Sequence, residues 1–202
     1  LENVANLVHH NDGKTISVIT NCFKELEYHG QYKIMNAKTH GNIPQQRNRI
    51  YIVAFKDKIA AQNFSFPDEI PLKISAFDLL DKEKKEDKYY LNNHKKWAEM
   101  MRYMTDKECI YRFTDSGLSK GMKGICPTLL AAMGSKFERI PFFYDKFSVR
   151  VMTPRECAKL QGFPDSYLLP DQNEKQVYKQ MGNSVCVPVI SRIAEKIIHF
   201  YK

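Results

Sequence analysis

Hydrophobic positions along the chain change their period from segment to segment, and each change predicts an element. After the turn sequence Asn11-Asp12-Gly13, Ile16, Ile19, Phe23 and Leu26 recur at the 3.6-residue period up to Gly30, predicting an amphipathic helix. Tyr32 to Ala37 and Ile50 to Phe55 are short runs rich in β-branched and aromatic residues, and both predict strands. Leu1-Glu2-Asn3-Val4 reads as the end of an apolar strand entering a polar turn. The two prolines between Asn63 and Pro71 mark a boundary. Beyond it, Trp97, Met100, Met101 and Met104 recur at helical spacing within a charge-dense stretch of mixed sign, which predicts a solvated helix with one apolar stripe.

The clearest local signal is Thr153-Pro154-Arg155-Glu156. A Thr N-cap, a proline in the first helical position and a Glu three residues after the cap predict a capped helix from about 154 to 161, stopped by Gly162 and Pro164. Near the carboxy terminus, Pro188 opens a helix whose Ile190, Ile193, Ala194, Ile197, Ile198 and Tyr201 fall on one face.

Composition narrows the class. With 202 residues, 43% apolar and 27% charged, the chain fits a globular protein of one large domain or two small ones. No apolar run approaches the roughly 18 residues of a membrane span, and no secretory leader is visible, so membrane and export roles are disfavoured. The odd set of five cysteines has no CxxC spacing, which argues against a disulfide framework or a zinc knuckle and for a reducing cytoplasm. The net charge is +8, and the densest excess, +4, lies within residues 110–150, compatible with a nucleic-acid partner.

Four clusters carry candidate chemistry. Glu2-Asn3-Val4 places a carboxylate and an amide beside a presumed strand end, where α/β sheets gather ligand-binding groups. In Pro44-Gln45-Gln46-Arg47-Asn48-Arg49 the period-two alternation puts Arg47 and Arg49 on one side of an extended segment, suited to a phosphate or a base edge, or simply solvated at a strand start. The stretch from Gly124 to Ser135 precedes Arg150 and the capped helix. Gly182-Asn183-Ser184-Val185 precedes the last helix, where a glycine turn lets backbone and small polar groups approach a ligand.

Taken together and in this order, the clusters resemble the carboxy-terminal part of the cytosine-C5 DNA methyltransferases. Glu2-Asn3-Val4 resembles that family's Glu-Asn-Val motif, and Gln45-x-Arg47-x-Arg49 its Gln-x-Arg-x-Arg motif. Arg155-Glu156-Cys157-Ala158 with Gln161-Gly162-Phe163-Pro164-Asp165 resembles its ninth motif and Gly182-Asn183-Ser184-Val185 its tenth. The resemblance implies an α/β fold: the back half of an S-adenosylmethionine-dependent methyltransferase sheet plus a small mixed target-recognition domain. It implies a catalytic segment over 1–66, target recognition over 67–171 and a return segment with its helix over 172–202.

The resemblance also implies roles. The target cytosine is flipped out of duplex DNA, with Glu2 on its N3 and exocyclic amine, Arg49 on O2 and Arg47 supporting the same pocket or a phosphate. Asn183, Ser184 and Val185 would line the S-adenosylmethionine side, Thr128, Ser135 and Lys136 would contact DNA, and Arg155 and Glu156 would be structural. The family's Pro-Cys nucleophile and Gly-rich cofactor loop are absent from these 202 residues, and the chain opens at Leu1 without a methionine. The expectation is therefore a chain inactive alone, completed by an amino-terminal methyltransferase half, working on double-stranded DNA in a bacterial-type cytoplasm within a restriction–modification pair. A non-catalytic DNA-binding module and a part of an RNA cytosine methyltransferase are the alternatives.

Overall fold

A computed structural model describes residues 1–171 and 173–201; the Tyr201 side chain, Gln172 and Lys202, and with them the expected boundary at 172, lie outside what is described. In chain order the elements are β1 (Glu2–Val4), α1 (Lys14–Glu25), β2 (His29–Asn36), α2 (Ala37–His40), β3 (Gln45–Gln46), β4 (Asn48–Phe55) and α3 (Lys58–Asn63). They continue with α4 (Trp97–Tyr103), β5 (Cys109–Thr114), β6 (Gly117–Lys123), β7 (Cys126–Pro127), β8 (Phe142–Tyr144) and β9 (Val149–Val151). Three helices, α5 (Pro154–Lys159), α6 (Glu174–Asn183) and α7 (Val187–Ile198), complete the order. The chain divides into two compact units, one of Leu1–Asn42, Asn48–Pro71 and Pro188–Lys202, the other of Ile43–Arg47 and Leu72–Val187. The division thus falls at Pro71 and Val187, and it transfers Ile43–Arg47 to the second unit.

The first unit is built on a three-stranded sheet ordered β1-β4-β2, with β4 antiparallel to both neighbours. Alternation along β4 sends Ile50 and Ile52 to one face, where Ile16 of α1 completes a small core flanked by Ile19 and Phe23. Asn11, Asp12 and Gly13 all adopt positive φ, so the chain reverses sharply into α1 as its turn residues require. Leu26, expected to close the apolar stripe of α1, is exposed one residue past the helix end. On α7, Val189 and Ile193 are buried, whereas Ile198 is half exposed because the stripe has rotated off the packed face. Leu1-Glu2-Asn3-Val4 reads in the sequence as the end of a strand, and Glu2–Val4 is β1, paired with β4, so the carboxylate and amide stand within the strand rather than after it.

The second unit carries an antiparallel sheet ordered β6-β5-β8-β9, whose Tyr111, Phe142 and Val149 are buried with Met152, Leu160 and Val177 of neighbouring segments. Helix α4 is shorter than its charged surroundings, and Met100 and Met104 face this core. Helix α5 has the predicted capping box: Glu156 N donates to Thr153 Oγ1 at 3.2 Å and Thr153 N to Glu156 Oε2 at 2.7 Å. Glu156 does more than cap. Fully buried, it accepts both amino groups of the equally buried Arg150, at 2.8 and 2.7 Å, while Arg150 Nε donates to Asp145 at 2.9 Å and the guanidinium lies 4.5 Å from the Phe143 ring centre. Burial opposes charge on Arg150, but the two carboxylates outweigh it and its pKa is raised.

Candidate functional site

In the first unit the antiparallel register sets Val4 opposite Arg49 and Glu2 opposite Tyr51, so Glu2 and Arg49 are diagonal neighbours on one face of the sheet. Their side chains close the diagonal: Arg49 Nε lies 3.1 Å from Glu2 Oε1, and both side chains are mostly buried, at 13% and 18% exposure. Arg49 Nη1 donates to Asn48 O at 2.8 Å, which fixes the plane of the guanidinium. Glu2 Oε1 is shut off from solvent, and its contact with Arg49 lacks hydrogen-bond geometry. The pair is therefore a pre-formed carboxylate and guanidinium with acceptor capacity in reserve. Beside it, Leu1, Glu2, Tyr51, Ile190, Ile193 and Ile197 are among the residues lining a hollow of about 410 Å³.

Arg47 does not join this pair. β3 ends at Gln46 and β4 starts at Asn48, so the extended alternation that would align Arg47 with Arg49 is broken at Arg47 itself. Its guanidinium is buried in the second unit, donating to the carbonyls of Leu129 at 3.0 Å, Gly182 at 3.2 Å and Ser184 at 2.5 Å. The expectation of a phosphate or pocket contact for Arg47 gives way to that of an internal staple. Gln45 and Gln161, each fully buried, extend the network: Gln45 Nε2 donates to Leu160 O at 2.6 Å, Leu129 N donates to Gln45 Oε1 at 3.2 Å, and Gln161 Nε2 donates to Met181 O at 2.7 Å. The sequence placed both glutamines in motifs but assigned them no role; two long amides bracketing apolar runs were the available signal.

Gly182 was expected in a turn opening the last helix. It lies inside α6, and a Cβ there would stand 2.1 Å from Leu130 C, so its glycine is required by the main-chain approach of α6 to residues 130–131. Asn183, exposed, closes α6, and Ser184 and Val185 are half-buried. Asn183 and Ser184 line a hollow of about 470 Å³ with Phe163, Tyr167 and Met181.

The three expected DNA contacts separate. Ser135 and Lys136 are exposed beside a short 3₁₀ turn, Ser135 Oγ donating to Ala132 O at 3.1 Å. Thr128 is half-buried and its hydroxyl donates to Gln46 O, which anchors the loop to β3. Cys109, Cys126 and Cys157 are buried, and burial pushes all three thiols up, Cys126 and Cys157 strongly; Cys186 is buried and Cys22 exposed. The buried set is inert packing.

Residues 1–199 match the profile of the C-5 cytosine-specific DNA methylases. The chain belongs to this family. Among curated members it is 41% identical over 200 residues to the Type II methyltransferase M.Bsp6I of Bacillus sp. (strain RFL6), covering 98% of this chain and 64% of that protein. It is 33% identical over 210 residues to M.HhaI of Haemophilus parahaemolyticus, with 98% and 62% covered. The C-5 cytosine methylase chain described here thus spans less than two thirds of the length of these relatives. Its fold is similar to that of Entamoeba histolytica methyltransferase EhMeth, with a TM-score of 0.70 at 18% identity over 100% of this chain and 62% of that one. It also matches a mutant of Spodoptera frugiperda DNMT2, with a TM-score of 0.71 at 18% identity over 98% and 65%.

Methylases of this family draw their methyl group from S-adenosylmethionine. The exposed amide of Asn183 and the half-buried hydroxyl of Ser184, on the rim of an open hollow, are of a kind that fits the polar groups of that cofactor.

Proposed function

We propose that this chain is the substrate-gripping and DNA-reading part of a DNA (cytosine-5-)-methyltransferase that methylates C5 of a cytosine flipped from duplex DNA. The observation carrying this reading is the Glu2–Arg49 pair. Glu2 offers an acceptor to the exocyclic amine of cytosine and, when protonated, a donor to N3, and Arg49, its plane fixed by Asn48 O, offers a donor to O2. Attack of a thiolate at C6 drives electrons into the ring toward N3 and O2, where a proton held between Glu2 and N3 and the Arg49 charge stabilise them. In the family the thiolate belongs to a Pro-Cys pair; no cysteine of this chain follows a proline, so the thiolate is assigned to a separate methyltransferase part. S-adenosylmethionine would supply the methyl group, and Asn183, Ser184 and Val185 are the residues of the second unit that would contact it. The first unit then holds the base, and the loops of the second, Ser135 and Lys136 among them, meet the duplex.

The test combines the chain with the cysteine-bearing amino-terminal part of M.Bsp6I and follows labelled methyl transfer to duplex DNA. Transfer is expected, and Glu2→Gln should lower turnover roughly a hundredfold or more while DNA affinity changes little. Equal losses in both would remove Glu2 from the chemistry. DNA binding without transfer for any matched half would leave a non-catalytic DNA-binding module.

A further inference from the structure

The Arg49 guanidinium takes its plane from the carbonyl of Asn48, and Asn48 is the first residue of β4, where the chain has just crossed from one unit to the other. A strand end of this kind frays unless something ties it down. The antiparallel register sets Asn36, the last residue of β2, directly opposite Asn48, so the two amides share the face of the sheet turned away from Arg49. Asn36 Nδ2 donates to Asn48 Oδ1 at 2.6 Å.

Asn36 is itself held in one orientation. It is 9% exposed, and its Oδ1 accepts from Lys38 N at 2.9 Å as the N-cap of α2. With the oxygen committed to the cap, the amino group is the end turned across to Asn48, an exposed residue. One buried amide thus joins the start of α2, the end of β2 and the residue that orients Arg49. Glu2, Asn36, Asn48 and Arg49 all belong to the first unit.

We propose that Asn36 is a positioning residue for cytosine methylation: by fixing Asn48 it sets the peptide plane that aims the Arg49 guanidinium at cytosine O2 beside Glu2. The inference rests on the DNA-methyltransferase reading above. The peptide between Asn48 and Arg49 carries both the Arg49 amide and the carbonyl that Arg49 Nη1 reaches at 2.8 Å, so a tilt of that plane displaces the guanidinium from both ends. A misplacement on the order of 1 Å is enough to cost about a hundredfold in rate.

The test separates this duty from capping. Asn36→Ser keeps an N-cap acceptor but is too short to reach Asn48, so the melting temperature should stay within about 3 °C of the wild type. With the 202-residue chain combined with the cysteine-bearing amino-terminal part of M.Bsp6I, kcat for methyl transfer should fall roughly tenfold to a hundredfold while KM for DNA changes little. Asn48→Ala, at an exposed position with little to lose in folding, should match that loss, and the double variant should add nothing to it. Asn36→Asp should restore most of the rate, since its carboxylate caps α2 and accepts from Asn48 Nδ2 once that exposed amide turns over. NMR of the isotope-labelled chain alone follows the Arg49 Nε–H signal, assigned by its loss in Arg49→Lys, and its exchange with water should quicken severalfold in Asn36→Ser. An Arg49 signal unmoved by Asn36→Ser overturns the proposal and leaves the function standing. Additive losses at Asn36 and Asn48, or an Asn36→Asp enzyme as slow as Asn36→Ser, overturn it too, by marking effects that do not pass through this bond. Absence of methyl transfer by the wild-type combination overturns both.

Discussion

Gly182→Ala is a substitution that helix propensity and packing judge with opposite signs. Alanine in the last turn of α6 should gain at most about 1 kcal/mol from propensity. Its Cβ, however, would stand 2.1 Å from Leu130 C, 2.2 Å from Ala131 N and 2.4 Å from Leu130 O, all main-chain atoms with no rotamer to escape into. Reaching ordinary contact requires the two backbones to part by about 1.3 Å or more. Parting strains the bonds that Gly182 O accepts from Arg47 at 3.2 Å and Met181 O from Gln161 at 2.7 Å. Overpacking of about 1–3 kcal/mol and weakened buried hydrogen bonds of about 1–3 kcal/mol together outweigh the gain. The net expectation is a loss of about 3 kcal/mol, lowering the melting temperature by roughly 6–12 °C. Gly30→Ala is the comparison: its Cβ meets the flexible Phe23 ring at 3.0 Å, and the expected change is below about 1 kcal/mol. Thermal unfolding followed by circular dichroism reads both. A Gly182→Ala protein melting at or above the wild type would refute the packing argument.

Glu156→Gln leaves the buried Arg150 short of a carboxylate and should destabilise the second unit by about 3–5 kcal/mol in urea unfolding; a loss below about 1 kcal/mol would show that the pair is not what holds α5 to β9. His40 is buried, and burial, with Lys33 nearby, depresses its pKa below the ordinary 6.5. As pH falls below 6.5 the unfolded chain takes up a proton that the folded one resists, so stability is full above that pH and declines as pH falls through the folded pKa. His40→Asn should flatten that decline in unfolding measurements between neutral and mildly acidic pH, and an unaltered profile would exclude His40 as its source. Lys136→Ala should weaken DNA binding alike for all sequences and reduce the salt slope by about one phosphate contact, whereas an unchanged slope would remove Lys136 from the interface.

Local signals were legible where one element suffices to satisfy them. The α5 cap needs only Thr153, Pro154 and Glu156, and the turn into α1 needs only Asn11 to Gly13; both stand as the sequence indicates. The same Glu156 also receives Arg150, and nothing within the helix announces that partner, because the pairing depends on how β9 is placed beside α5. Gly182 illustrates the harder case. A glycine before an apolar helix suggests a turn, since glycine weakens helices, but its reason lies in a backbone distant in sequence. Arg47 failed for a similar cause: alternation assumes an unbroken strand, and the strand is interrupted at that residue.

The interruption explains why one short motif holds residues with unlike surroundings. The chain passes from the second unit to the first between Arg47 and Asn48. On the near side of this crossing, Gln45 and Arg47 bind Leu129, Leu160, Gly182 and Ser184, so their long polar side chains organise the unit that carries the exposed loop. On the far side, Arg49 meets Glu2. Substitutions across the motif should therefore divide by side of the crossing: those at Gln45 and Arg47 act first on the folding of the second unit, and those at Arg49 on its pair with Glu2 in the first. Three arginine-or-glutamine positions at regular spacing look equivalent in the sequence, yet the covalent crossing gives the first two a structural duty in one unit and leaves the last to face Glu2 in the other.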